Sequence, residues 1–477
     1  MDVVVAGAGP VGLMLACELA LAGVDVTVLE RRTEIDPTIK AGSLNSPTIE
    51  ALDRRGLTPA VQEAAAFNMQ AFAAKGRAPG GKRFAGHFGG LMIDGDLLAR
   101  DDPGLAAAAA RGALALVSQQ QLEAILERRA LELGVDLRRG VRLTGFADDG
   151  DVVSITTDRG PLTARWLVGC DGGRSLVRKH AGFEFPGTPA EITAYQAMAD
   201  LEGAEGLPGG WHATGTGVYV LGPVPGRVLV AEFTGTPPDR TAAVTEEELE
   251  GAIRRVIGKD ITVTGIRTAT RFTDNARQAT AYRKGRVLLA GDAAHVHSPF
   301  GGQGLNLGIG DAMNLGWKLA AVARGDASQR LLDTYTAERH PIGAWVLDWT
   351  RAQIAIMRPD PHARALRAVV AGLAGTTDGA TYLATRLAGV WQGYDLPGEH
   401  PLIGRPAPDL ELSDGRRLAE HLHDGKALLI NTKLQGYGHA CAEGATKLLV
   451  RPDGYVAWAS ETDDIDEAAY LFAMTAA

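Results

Sequence analysis

Glycine-rich segments at three places in the chain combine residue types and spacings that suit nucleotide binding. The first is Gly7-Ala8-Gly9-Pro10-Val11-Gly12, a GxGxxG pattern. In such a turn the first glycine permits a tight bend, the second lets the backbone approach a pyrophosphate, and the third lets a helix pack closely on a strand. Glu30 follows at the distance where an acidic side chain accepts a hydrogen bond from a ribose hydroxyl. These residues predict a dinucleotide site and leave FAD and NAD undistinguished.

Two further segments pair glycine with aspartate at the end of an apolar run. Asp171-Gly172 follows the run 166–169, and Gly291-Asp292 follows the run 287–290. Soon after the second comes Pro299-Phe300-Gly301-Gly302-Gln303-Gly304-Leu305-Asn306, which leads into a helix-forming stretch over 307–322. The first amides of a helix have no partner within it and carry positive partial charge. This stretch therefore predicts a second place where oxygen atoms of a ligand can be bound.

The elements that must position these residues follow from the hydrophobic periodicity. Residues 2–6, 11–21 and 24–29 have the pattern of a strand, a helix and a strand, so the first glycine turn lies in a βαβ unit. Between the two aspartate motifs, alternating stretches joined by Gly/Pro turns predict a β-rich unit with one helix at Thr245 to Ile257. A mostly helical stretch follows over 343–393. A Pro/Gly-rich linker then leads to strands at 427–431, 446–450 and 455–459, the last two joined by a hairpin turn.

The composition narrows the class of protein. The chain has 477 residues, 45% of them hydrophobic, and a net charge of −9. This length predicts two or three domains, and the negative charge argues against nucleic acid or an anionic membrane as a partner. The three cysteines have no metal-ligand spacing and form no disulfide framework, so no metal is expected. With no basic leader and no apolar run of membrane-spanning length, a cytoplasmic location is the expectation.

The GxGxxG turn, the DG motif at Asp171-Gly172 and the GD motif at Gly291-Asp292 make the chain resemble the single-component (class A) flavoprotein monooxygenases of the para-hydroxybenzoate hydroxylase type. The resemblance implies an α/β fold with a GR2-type Rossmann FAD-binding domain at 1–175 and 270–345, a β-rich substrate domain at 176–269 and a helical linker at 346–395. The tail at 396–477 resembles the thioredoxin-like C-terminal domain of phenol hydroxylases, without CxxC. Together with segments 52–57 and 88–91, the tail makes the chain look like the aromatic polyketide hydroxylases.

The resemblance also implies roles for individual residues. Asp292 contacts the FAD ribose, Asp171 and Arg178 belong to the motif linked to FAD and the nicotinamide, and Lys40 supplies a cation for the pyrophosphate. Gln119 corresponds to a glutamine near the flavin, although Gln120 and Gln121 leave that register open. The loop that borders the flavin ring contains the catalytic candidates Pro299, Gly301 and Gly302, and the two glycines would act through their backbone amides. The other cofactor-binding candidates, besides the first glycine turn and Glu30, are Arg31, Gly304, Leu305 and Asn306.

The chemistry implied by the resemblance is carried by the cofactor. NADPH or NADH, as a transient reductant, reduces FAD, and oxygen adds to form a flavin C4a-hydroperoxide that hydroxylates an aromatic ring. An aromatic small molecule and molecular oxygen are thus the expected partners, and the appended C-terminal domain is compatible with a homodimer. Aromatic walls suit a planar polycyclic ligand, so the pocket candidates are Phe88, Trp211, Tyr219, Phe233 and Phe300.

Two other functions stay open at this level. The same oxygenated flavin can insert oxygen beside a ketone in a Baeyer–Villiger reaction, which opens or expands a ring of a polyketide or antibiotic. A flavoprotein could also bind an aromatic antibiotic without converting it, although the intact GxGxxG, DG and GD motifs speak against lost activity.

Overall fold

The computed structural model of the chain describes residues 1–73, 83–110, 114–222, 224–237, 242–433 and 445–461. Within these ranges, no helix combines the length and the apolar composition that crossing a membrane requires. Cys17 and Cys170 are free thiols, and Cys441 lies outside the described residues.

The first 180 residues begin with the strand, helix and strand that the sequence pattern predicts and continue with further strands and helices. Their elements are β1 Val3–Ala6, α1 Pro10–Leu21, β2 Val26–Glu30, β3 Leu44–Asn45, α2 Ser46–Asp53, α3 Thr58–Ala73, β4 Phe84–Phe88, β5 Leu91–Asp94, α4 Pro103–Ala110, β6 Leu114–Ala115, α5 Gln119–Glu132, β7 Asp136–Arg139, β8 Leu143–Asp148, β9 Val153–Thr157, β10 Gly160–Ala164, β11 Trp166–Gly169 and α6 Leu176–His180.

The next part of the chain contains the predicted β-rich stretch and returns to the first unit. Its elements are β12 Gly187–Thr188, β13 Thr193–Glu202, β14 Gly210–Ala213, β15 Gly217–Leu221, β16 Arg227–Glu232, α7 Glu246–Ile257, β17 Thr262–Thr273, β18 Ala276–Gln278, β19 Arg283–Lys284, β20 Val287–Leu289, β21 His295–Val296, α8 Gln303–Arg324 and α9 Asp333–Met357.

The first unit comprises the first 180 residues and the strands over 283–289 that return to them. Its centre is a six-stranded sheet with the order β19-β20-β11-β1-β2-β7. All of its pairs are parallel except β19 with β20. Strands β1 and β11 are buried at every residue, as is typical of parallel strands covered on both faces, and this explains their continuous apolar sequences. Helix α1 packs against α8 and α5. The α/β fold and the βαβ unit at the first glycine turn are thereby confirmed.

The middle unit is a five-stranded antiparallel sheet with the order β14-β15-β16-β13-β17. Helix α7 begins where the sequence predicts, because the Thr245 side chain accepts a hydrogen bond from the Glu248 amide at 3.1 Å. The apolar side of α7 covers one face of the sheet, with Leu249 and Ile253 fully buried against it. Strand β17 pairs with β13 as far as Thr273, so the sheet extends past the predicted domain boundary at residue 269.

The last part of the chain consists of helices followed by a small sheet. Its elements are α10 Pro361–Ala374, α11 Thr377–Ala388, α12 Leu418–His421, β22 Leu428–Lys433, β23 Ala445–Val450 and β24 Val456–Ser460. The three strands pair antiparallel, and the predicted hairpin joins the last two. The described residues of this unit show only antiparallel pairing, and the thioredoxin-like assignment stays a prediction.

A buried network of charges joins the C-terminal sheet to helices α8 and α9. Arg451, in the hairpin, donates to both carboxylate oxygens of Glu338 on α9 at 3.1 and 2.8 Å. It also pairs with Asp453, and Lys318 of α8 reaches Glu338 at 2.9 Å. All four side chains are buried. Burial would raise the pKa of Glu338, but the charges of Arg451 and Lys318 lower it to about 2, so this carboxylate stays ionised.

Replacing Arg451 by Met should lower the free energy of unfolding by about 3–5 kcal/mol, because it leaves two buried carboxylates short of a partner. Tryptophan fluorescence in a urea titration would measure this, since Trp317 lies 5.1 Å from the Arg451 guanidinium. The control is Arg417→Met, which removes a half-exposed arginine paired with Asp53 at the same interface and should cost less than about 1 kcal/mol. Equal losses in the two variants would contradict the role of the buried network.

Candidate active site

In the first glycine turn, two of the three glycines lie against a backbone carbonyl and the third faces open space. A Cβ on Gly7 would lie 2.5 Å from the carbonyl oxygen of Cys170, and a Cβ on Gly12 would lie 2.0 Å from that of Gly7. Neither position can accept a side chain. A Cβ on Gly9 would meet no atom within 4 Å. Gly9 is also the residue before α1, whose N-terminus has no side-chain cap, so the open side faces unpaired amides.

Glu30 holds this turn from the end of β2. Its carboxylate accepts hydrogen bonds from the Ala8 amide at 2.9 Å and the Arg32 amide at 2.8 Å. The predicted contact of Glu30 with a ribose hydroxyl stays a prediction, and the observed bonds keep its carboxylate at the edge of the glycine turn. Arg31 follows it with an exposed side chain.

A buried carboxylate on α8, that of Asp311, holds the GD motif in place through a hydrogen bond. Gly291 has a positive φ of 61°, and its amide donates to Asp311 at 3.0 Å. His295 lies 2.6 Å from the same oxygen, and Arg339 donates to the other one at 2.8 Å. Asp292 itself is exposed, so its carboxylate is available to a ligand in the cleft.

The glycine-rich loop before α8 is tied to strand β3. Asn306 donates to the Gly302 carbonyl at 2.8 Å and accepts from the Asn45 amide at 3.0 Å. Leu305 is buried, whereas Pro299 is exposed at the start of the loop. A Cβ on Gly304 would come within 3.5 Å of His297 and 3.9 Å of Asp292. This loop therefore lies beside the GD motif.

One catalytic expectation changes in the structure. The Gly302 amide donates to the Pro299 carbonyl at 3.1 Å and closes a turn, so it is already used. Gly301 and Gly302 have φ of 84° and 65°, and they bring the chain into α8 without a side-chain cap. The amides of the first turn of α8, from Gln303 onward, have no partner within the helix and take over as candidate donors.

The three glutamines near Lys40 make different contacts, and which of them lies near the flavin stays a prediction. The Gln119 amide donates to the Ala41 carbonyl at 2.9 Å, which places this residue beside the Lys40 loop. Gln121 forms a capping box with Ser118, and Gln120 donates to the Thr38 carbonyl. Lys40 pairs with Asp36 at 2.9 Å on the surface, and its role toward a pyrophosphate stays a prediction.

Asp171 and Arg178 have structural contacts. The Asp171 carboxylate accepts from the amides of Leu176 and Val177 at 2.7 and 3.2 Å, at the start of α6. Arg178 is buried and donates to the carbonyls of Gly173 and Ala293, both at 2.9 Å. The prediction that Arg178 binds a cofactor is therefore replaced: its guanidinium joins the DG segment to the GD segment.

Phe300 forms an apolar cluster with the five-stranded sheet. It lies in edge-to-face contact with Trp211 at 5.5 Å and Phe272 at 5.9 Å between ring centroids. Phe233 packs in the same cluster. We call this side of the sheet its inner face. Trp211, Phe233 and Phe300 are thus brought together as predicted, although their contact with a substrate stays a prediction.

Two pocket candidates lie elsewhere. Tyr219 is buried on the opposite face of the sheet among the residues that pack on α7, because side chains alternate along β15. Phe88 is also a core residue, and its ring contacts Trp349 at 4.6 Å in a separate cluster. Neither residue packs with Phe300, and the predictions that they line the pocket stay predictions. His87, one residue earlier, points the other way and packs on Trp211 at 4.5 Å.

The sequence reasoning missed residues that act at a distance along the chain. Asp311 and Arg339 hold the GD motif, and Gln353 of α9 joins the Gly89 amide (3.0 Å) to the Phe300 carbonyl (3.3 Å). A polar residue within a strongly apolar helix face was the available signal for Asp311. Among the described residues no cluster of three or more His, Cys, Asp or Glu could hold a metal ion.

These residues fit FAD. The open side of Gly9, the two uncapped helix N-termini of α1 and α8 and the exposed Asp292 provide an approach for the pyrophosphate, amide donors and a ribose acceptor. Gly9→Ala should leave the apoprotein fold intact but weaken FAD about tenfold or more, because its methyl group enters the cofactor space. Gly215→Ala is the matched control, since its Cβ also meets no atom and it is far from the turn in sequence. Titration of apoprotein with FAD measures the change; unaltered affinity in Gly9→Ala would contradict this site.

Comparison with known proteins agrees with this geometry. The sequence profile of the family described as FAD binding domain matches residues 1–350. The chain is 40% identical over 518 residues to the 12-dehydrotetracycline 5-monooxygenase/anhydrotetracycline 6-monooxygenase of Streptomyces rimosus subsp. rimosus, with 98% of this chain and 97% of that protein covered. The solved OxyS anhydrotetracycline hydroxylase from Streptomyces rimosus is 37% identical, with a TM-score of 0.83 over 99% of this chain and 98% of that one.

A ternary complex of aklavinone-11 hydroxylase with FAD and aklavinone is 26% identical, with a TM-score of 0.70 and 99% and 98% of the two chains covered. The chain therefore belongs to the class A FAD-dependent aromatic monooxygenases, in the subgroup of the aromatic polyketide hydroxylases.

Proposed function

We propose that this monooxygenase hydroxylates a polycyclic aromatic, polyketide-type substrate held between the inner face of the five-stranded sheet and the glycine-rich loop before α8. The observation that carries the proposal is the position of Phe300. It belongs to the loop beside the GD motif, and its ring packs into the inner face of the sheet. A ligand that lies along this aromatic cluster would therefore also lie beside the cofactor cleft.

The aromatic side chains favour flat, electron-rich rings. Trp211 and Phe272 present their rings to Phe300 edge to face, a geometry that a stacked aromatic ligand can extend. The named relatives support the same class: one is an anhydrotetracycline hydroxylase, and another was solved with FAD and aklavinone.

Bound FAD supplies the redox chemistry, accepting a hydride from NADPH or NADH and activating molecular oxygen. The chain's own residues bind the cofactor and the substrate, orient them relative to each other and exclude water. Gln353 of α9 holds the Phe300 segment beside Gly89 in the turn between β4 and β5, so the loop is anchored to α9. The first amides of α8 can donate hydrogen bonds to oxygen atoms that gain negative charge. Burial lowers the pKa of His297 beside the cleft, so this imidazole stays neutral.

Anaerobic stopped-flow mixing with NADPH tests the proposal, with anhydrotetracycline as the first probe. The ligand should accelerate bleaching of the flavin, and a reaction under ¹⁸O₂ should then place one labelled atom in a new hydroxyl group. A labelled lactone would show Baeyer–Villiger insertion instead. Tight binding of polycyclic aromatics without faster flavin reduction or labelled product would contradict the proposal and indicate a binding protein.

Phe300→Leu should raise the fraction of NADPH that ends as hydrogen peroxide about twofold or more, because a smaller side chain lets water reach the activated oxygen. Phe146→Leu is the matched control, since Phe146 is a buried phenylalanine that packs near His180 in the FAD-binding unit. Peroxide formed per NADPH consumed measures the effect. The same fraction in both variants would show that Phe300 does not seal the site.

A further inference from the structure

The inner face of the five-stranded sheet is packed at one end and half-open at the other. Strand register places Val218, Ala231, Ala194 and Phe272 in one row across the sheet, and this row packs against Phe300 and α9. The next rows are formed by Trp211, Val220, Leu229, Gln196 and Thr270, and then by Arg227, Met198 and Thr268. Every side chain in these two open rows is only partly buried, whereas the opposite face is closed by α7.

Arg227 is the charged residue of the open rows. It lies on the inner face because it alternates along β16 with Val228 and Val230, which face α7. No described residue lies within ion-pair or hydrogen-bond distance of its guanidinium. Burial lowers its pKa, yet an arginine remains charged. A half-buried cation that has no partner among the described residues is costly unless another group, such as a ligand, supplies the negative charge.

The other arginines of this unit behave differently. Arg255 pairs with Glu232 through two hydrogen bonds of 2.7 and 3.0 Å, and Arg271 pairs with Glu248. Arg254 and Arg267 pair with acidic residues at the surface. These four arginines of the unit therefore have acidic partners, whereas Arg227 has none among the described residues.

The neighbours of Arg227 in the open rows carry no charge. Gln196 and Thr270 lie side by side in the adjacent row, and the Thr270 hydroxyl donates to the Gln196 carbonyl at 3.4 Å. His87, which packs on Trp211, does not add charge, because burial lowers its pKa to about 4. The open rows thus offer one positive charge, that of Arg227, and three neutral hydrogen-bonding side chains (Gln196, Thr268 and Thr270) beside an aromatic wall.

We propose that Arg227 binds an ionised oxygen edge of the substrate, either a phenolate or the enolate of a 1,3-dicarbonyl group, and so sets which end of the ring system points away from the flavin loop. The inference rests on the proposed function, because it needs aromatic rings along Trp211 and Phe300. Arg227 lies four residues along β16 from Ala231 in the packed row, or about 13 Å. A linear fused ring system of several rings covers that span, with one end at the glycine-rich loop and its anionic edge at the guanidinium.

Alizarin tests this with the holoenzyme, because its absorbance reports whether its phenol is ionised. Its dimethyl ether has the same rings and no ionisable phenol. Arg227→Met should raise the Kd of alizarin about tenfold or more and shift the bound dye toward its neutral spectrum, whereas the Kd of the ether should not change. Arg227→Lys should recover part of the affinity and the ionised spectrum, because it keeps the charge without the planar fork.

Arg267→Met is the matched control, because it removes an exposed, ion-paired arginine of β17 in the same sheet and should leave both dyes unaffected. FAD content and the thermal midpoint of each variant verify folding. Equal changes for both dyes in Arg227→Met, or none, would overturn the role of Arg227 while the proposed function stands. If the wild type binds neither dye, the aromatic site and this inference fall together. If charge-dependent binding persists but no labelled product forms, only the proposed function fails.

Discussion

The Asp311 carboxylate is the interaction on which the cofactor side of the molecule depends. It is fully buried on α8 and accepts from the Gly291 amide, His295 and Arg339 within 3.0 Å. Burial alone would raise the pKa of Asp311, but the charges of His295 and Arg339 lower it below its usual value. The hydrogen bonds of an ionised carboxylate are strong and directional. They therefore fix the turn at Gly291, which exposes Asp292. Removing one partner would leave an uncompensated buried charge.

The same helix connects this interaction to the C-terminal unit. Arg339 and Glu338 are neighbours on α9, and each enters a different buried network. Arg339 reaches Asp311 and the Leu307 carbonyl on α8, whereas Glu338 reaches Arg451 in the last hairpin. The position of α9 therefore depends on both networks at once. Because α9 also contributes Gln353 to the loop around Phe300, docking of the C-terminal sheet and the geometry of the loop are mechanically linked.

The sequence predicts the parts of the site that are local in the chain. Gly7 and Gly12 have fixed roles because any Cβ would collide with a nearby carbonyl, and such constraints appear in the sequence as short motifs. The α/β fold, the start of α7 and the last hairpin are predicted for the same reason. What the sequence does not contain is the register between distant strands. Tyr219 and Phe88 are aromatic residues in plausible places, yet a shift of one residue along a strand decides which face they occupy.

Hydrogen-bond partners that lie far apart in the chain could not be predicted from the sequence either. Arg178 resembles a ligand-binding cation until its carbonyl acceptors in two separate segments are known. The Gly302 amide looks available until the turn to Pro299 is seen. Asp311 and Arg339 are 28 residues apart on two helices, and only their packing makes them a pair. In each case the decisive quantity is a three-dimensional distance, which no spacing along the chain encodes.

The two sides of the active site are under unequal physical constraint. Around the cofactor, glycine positions have no free volume and buried charges have matched partners, so most substitutions there would disturb packing or leave a charge unpaired. On the open rows of the sheet, the side chains are only partly buried. Substitutions there cost little folding free energy but change the surface that a ligand meets. If the proposed function holds, the same oxygen-activating machinery can thus be kept while the ring system it oxidises changes, and the open rows are where we expect the substrate to be selected.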